Sequence, residues 1–137
     1  MSALVAAVIL LAMQTSAVQT IASDTMSGVD TPLQVVVRND QEWASLWQKH
    51  AGLGKSAPKV DFTKRTVVAV FLGSRPSAGY RVDVSGTRQD GKALIVSWRE
   101  IPPPGDSLLA QVITSPAHLV SIPKFDGEIK FERAPAK

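Results

Sequence analysis

Apolar and polar positions follow two different periods along this chain, and the change of period marks out its elements. Residues 33-LQVVVR-38 are a short β-branched run of strand type. The period then changes: Trp43, Leu46, Trp47 and His50 recur at the three- and four-residue spacing of one helix face. Asn39 stands where a cap would hold the free amide at the third helical position, and Glu42 where a capping box reaches back. Acidic residues in the first turn and Lys49 and His50 in the last complement the helix dipole, and Gly52 and Gly54 end the helix.

From residue 66 onward the pattern is strand after strand. The continuous apolar run 66-TVVAVFL-72 predicts a central strand covered on both faces. In 80-YRVDVSGTR-88, Tyr80, Val82 and Val84 alternate with Arg81, Asp83 and Ser85, as in a half-buried strand. The turn 89-QDG-91 leads to a return strand, 92-KALIVSWR-99, with Leu94, Val96 and Trp98 on one face. Three prolines in 102-PPPGD-106 break that strand. Further strands are expected at 109-LAQVIT-114, 117-AHLVSI-122 and 128-EIKFE-132. The predicted class is α+β: a mostly antiparallel sheet of six or seven strands with one N-terminal amphipathic helix.

The N-terminus follows a different rule. Residues 3-ALVAAVILLAM-13 are all apolar, too short a run to span a bilayer comfortably but right for the core of a secretory signal. Both Thr15-Ser16-Ala17 and Thr20-Ile21-Ala22 have the small residues of a cleavage site, although no Lys or Arg precedes the apolar run. The expected organisation is a signal-peptide-like segment at 1–22, a linker at 23–32, one domain at 33–132 and a tail at 133–137. The protein is accordingly expected to be exported, periplasmic or extracellular, with membrane attachment only through an uncleaved N-terminal segment.

Composition narrows the chemistry. The chain has no cysteine, which removes disulfide staples, thiolate zinc sites, thiol catalysis and a lipoprotein anchor. A net charge of +3, dispersed along the chain, does not suggest a nucleic-acid partner. Gly54-Lys55-Ser56 looks like the end of a phosphate loop, but Lys49 occupies the position of the required first glycine. His50 and His118 have no spaced partners of the kind a metal site or hydrolytic triad needs, and no Gly-x-Ser-x-Gly elbow occurs. The carboxylates are scattered over strand faces and turns. No catalytic residue, cofactor or metal is expected, and the function is expected to be binding. Arg75, Arg81, Arg88 and Arg99 fall in or beside one predicted hairpin and offer, as one alternative, a basic face for an anionic envelope ligand.

Four features together resemble the C-terminal domain family of the protease-complex subunit PrcB. They are the helix 42-EWASLWQKH-50 followed by 58-PKVDF-62, the loop 73-GSRPSAGY-80, the Pro-Gly-Asp at 104–106, and the stretch 111-QVITSPAHLVSIPK-124. The loop is similar to that family's Gly-x-x-Pro-Thr-Gly-Gly-Tyr, except that Ser77-Ala78-Gly79 replaces Thr-Gly-Gly. Ala78 takes positive φ less cheaply than glycine, so a stiffer or differently shaped loop is expected. The resemblance implies a non-catalytic exported binding module with a protein partner, an accessory subunit of a secreted or envelope protease. Pro76 to Tyr80 also resemble the Pro-Thr-x-Gly-Tyr loop of chagasin-type cysteine-protease inhibitors, although Val82 stands where that family has tryptophan. Direct protease inhibition through the 73–80 loop is therefore the main alternative. In either case the expected contact residues are Arg75, Pro76, Ser77, Gly79 and Tyr80. Tyr80 is in phase with the core positions Val82 and Val84, and of its two readings the core one is favoured.

Overall fold

The computed structural model describes residues 17–136, and the apolar run of the signal-like segment lies outside the described residues. The described chain runs β1 (Gln19–Asp24), β2 (Leu33–Val37), α1 (Asp40–Ala51), β3 (Arg65–Phe71), β4 (Arg81–Asp90), β5 (Ala93–Ile101), β6 (Ala117–Pro123) and β7 (Ile129–Arg133). Two sheets form, one ordered β1-β6-β3-β2 and the other β4-β5-β7. Every pair is antiparallel except β5–β7, which is parallel.

The packing is three layers: helix, four-stranded sheet, three-stranded sheet. Strand alternation divides the middle sheet between two cores. Val68, Val70, Val120 and Ile122 meet Val82, Val84, Leu94, Val96 and Trp98 of the second sheet, with Ile129 and Phe131 packed alongside. Val67, Ala69, Phe71 and Leu119 face the opposite way, onto Trp43 and Leu46 of the helix. A sheet covered on both faces needs no polar side, which is why β3 reads as an unbroken apolar run.

The helix starts as expected. Asn39 Oδ1 accepts the Glu42 N–H at 2.9 Å, while the Glu42 carboxylate accepts from the Asn39 side-chain amide at 3.0 Å. Gly52, at φ +114°, closes the other end by donating its N–H to Gln48 O. Trp43 is fixed by packing and by its indole N–H, which donates to Pro58 O at 2.8 Å. The helix is the third element in the chain, between β2 and β3, and two strands precede it.

Two strand expectations change. Residues 109–114 form no strand: they run beside the 73–80 loop and touch it through scattered backbone bonds. In their place the seventh strand is β1, in residues read from sequence as the end of the leader and the start of the linker. It pairs along β6 from Gln19↔Ser121 to Asp24↔Ala117, with an irregularity between Thr20 and Ala22.

Candidate partner-binding surface

The 73–80 loop leaves β3 at one end of the sandwich. Gly73 turns the chain at φ +82°, where an added Cβ would lie 2.8 Å from Pro32. Arg75 then pairs with Thr114 through two backbone bonds of 2.8 and 3.0 Å, and Ala78 N–H donates to Ala110 O. Thr114 Oγ1 donates to Ser77 O at 2.9 Å. Gly79, at φ +98°, lets the chain pass under the triple proline, since an added Cβ would sit 2.7 Å from Pro103 Cβ. No residue other than glycine takes positive φ among the described residues, so Ala78 sits in the loop without backbone strain.

These contacts sort the five expected contact residues. Pro76 and Gly79 are exposed and Tyr80 is half-buried, outside both core clusters. Ser77 is buried and offers no contact surface. The Arg75 guanidinium turns inward to Glu100, with Nε to Oε2 at 2.8 Å and Nη2 to Oε1 at 2.9 Å, and Nη1 donates to Leu72 O and Ser74 O. That hydrogen bonding holds the Glu100 carboxyl below the usual carboxylate range, against the upward push of burial. Arg133 adds a second guanidinium to Glu100 at 3.0 Å, stacked over Trp98. Arg75 is thus a brace for the loop.

Sequence reading missed the apolar flank of this loop. Segment 109–114 is predicted as a strand, and instead Leu108, Val112 and Ile113 lie open to solvent while Leu109 is half-buried beside Gly79. Leu108 is fully exposed, Ile113 is 70% exposed and Val112 is 49% exposed. Met26, bridged to Ser115, is also exposed. The signal was present in the sequence: apolar residues between the Pro-Gly-Asp break and Ser115-Pro116 have no partner strand within reach. Of the four arginines that offered an alternative basic face, Arg75 is paired with Glu100 and Arg88 with Glu132.

One side-chain chain has the composition of a hydrolytic triad. Ser27 Oγ lies 2.7 Å from His50 Nδ1, and His50 Nε2–H donates to Asp24 Oδ2 at 2.7 Å. The exposure is the reverse of what nucleophilic attack requires: Ser27 and His50 are buried, while the Asp24 side chain is 50% exposed. Ser27 Oγ also accepts the Val29 N–H, and Gly28 N–H donates to His50 O. The chain of bonds fastens the segment after β1 to the last turn of the helix.

Among the described residues no group of side chains is arranged to hold a metal ion, and no helix is long and apolar enough to cross a membrane. Residues 66–123 match the protein family described as PrcB C-terminal. The matched stretch runs from β3 through β6, so it contains the 73–80 loop and its apolar flank. No curated protein and no solved structure matches the chain.

Proposed function

We propose, from the premise that residues 66–123 are a PrcB C-terminal segment, that this protein is an exported, non-catalytic module that docks on a protein partner, a secreted or envelope protease. The docking surface is the 73–80 loop with its flank: Pro76, Gly79 and Tyr80, extended by Leu108, Val112 and Ile113. The observation that carries the proposal is the exposure of Leu108 and Ile113 beside a loop already braced by Arg75. Exposed apolar side chains on a preorganised loop lose little entropy on binding and gain by leaving water.

Direct inhibition of the protease is the narrower form of the same reading. It is favoured by the exposed Pro76 at the apex of a loop whose neighbours are fixed on both sides.

Affinity capture from cell envelope and culture fluid tests the proposal. The full chain serves as bait, beside Leu108→Asp and Ile113→Asp, with Leu53→Asp as an exposed control in the turn after the helix. Enrichment of a protease by the parent and the control, and its loss with the two flank variants at unchanged melting temperature, is the expected result. Capture of the same partner by all four proteins would move the binding site elsewhere. Inhibition assays with papain-like and subtilisin-like enzymes then separate inhibition from accessory binding.

A further inference from the structure

We infer that the exported chain is cut between Ala17 and Val18, so that the mature protein begins at Val18. The inference rests on the exported reading above. Signal peptidases act on an extended, unfolded segment and require small residues around the cut. Two tripeptides meet that rule, Thr15-Ser16-Ala17 and Thr20-Ile21-Ala22. Sequence alone does not choose between them, but the fold does.

The second tripeptide is part of β1. Thr20 Oγ1 lies 2.9 Å from His118 Nε2, and Ile21 and Ala22 pack against the core between helix and sheet. A cut after Ala22 would remove most of the strand. It would turn β6 into an edge strand, although Leu119 and Val120 in β6 are completely buried. It would also remove the partner of the buried His118 Nε2–H.

A cut after Ala17 leaves β1 whole and keeps Val18, which packs against the core between the two sheets. Among the described residues the fold loses one hydrogen bond, from Arg65 Nη2 to Ala17 O at 2.8 Å, and Arg65 retains Ser121 O and Ser121 Oγ. In the cleavage the Ala17–Val18 amide breaks. Water gives its hydroxyl to the Ala17 carbonyl carbon and a proton to the Val18 nitrogen, and the carboxyl proton passes on, so that Ala17 ends as a carboxylate and Val18 as an ammonium.

The test is to express the full chain in a secreting bacterial host and to read the exported pool by intact mass and N-terminal sequencing. Ala17→Val and Ala22→Val are run beside the parent. Val18 is the expected first residue of the parent, with uncut precursor accumulating for Ala17→Val and normal processing of Ala22→Val. Any other first residue on an exported chain, Ser23 included, overturns the inference and leaves the exported reading standing. Retention of the parent as an uncut intracellular chain overturns both.

Discussion

The backbone N–H of Val84 donates to His118 Nδ1 at 2.9 Å, and this one bond links the two sheets through a side chain. A backbone N–H can only donate, so Nδ1 is the acceptor and the imidazole proton sits on Nε2, directed at Thr20 Oγ1. Burial pushes the His118 pKa down, against the weaker upward pull of Asp83. The folded value therefore lies below the unfolded one, and below about pH 6.5 the unfolded chain takes the proton first. Stability is expected to be full above that pH and to fall as the pH drops toward the folded value. Thermal melts between about pH 7.5 and 5, a range that brackets the ordinary histidine value, check this, and His118→Gln should flatten the slope over that range.

Arg75 and Glu100 give a second pH dependence, at lower pH. The Glu100 carboxyl is held down by Arg75, so its contribution is complete above about pH 5 and is lost as the pH falls through its depressed folded value. Glu100→Gln should cost about 2 kcal/mol at neutral pH, because the charge-assisted bonds from Arg75 and Arg133 become weaker or unmade. Denaturant melts at pH 7 and pH 3 are the check, and the difference between parent and variant should shrink at pH 3.

At the loop exit, Gly79→Ala should be costly and Ala78→Gly nearly neutral. Gly79 combines positive φ with an approach to Pro103 that leaves no room for a methyl group, whereas Ala78 takes negative φ. About 1–3 kcal/mol is expected for Gly79→Ala and under about 1 kcal/mol for Ala78→Gly. Equal effects on the melting temperature would contradict the described loop.

The Ser27–His50–Asp24 chain should behave as a fastening. Ser27→Ala leaves the Val29 N–H without its acceptor and His50 Nδ1 without its partner, at a cost of about 1–3 kcal/mol. His50→Phe keeps the ring between Trp47 and Phe71 but loses both hydrogen bonds. A fluorophosphonate probe should leave Ser27 unmodified in the native protein, and labelling detected by mass spectrometry would show that the hydroxyl is reachable.

The elements legible in the sequence are those whose period matches their burial. The helix announced itself through Asn39, Trp43, Leu46 and Trp47, β3 through its unbroken apolar run, and β5 and β7 through their core-facing alternation. Strand β1 was hidden because Thr20-Ile21-Ala22 serves equally well as a peptidase site, and only the pairing with β6 distinguishes the two. Residues 109–114 misled in the opposite sense: their apolar content fits a strand, but beyond the single bridge of Thr114 to Arg75 they join no ladder, and Val112 and Ile113 stay in water. His118 is buried because β1 and β4 close around it, a contact between strands distant in sequence that leaves no local mark. Of the expected contact residues, Arg75 and Ser77 have the chemistry of an interface but the geometry of a support. Carboxylate partners far away in sequence, such as Glu100, leave no local mark.

The pairing of β1 with β6 also sets an order of assembly. Thr20 and His118 are 98 residues apart, whereas β4 and β5 are joined by a two-residue turn. Closing the long loop costs more chain entropy than closing the short one, so the β4–β5 hairpin is free to form early and β1 is held back. The first strand in the sequence then docks among the last, and it is the first to peel away when the native protein opens locally. In hydrogen exchange, the amides of β1 should lose protection well before those of β3.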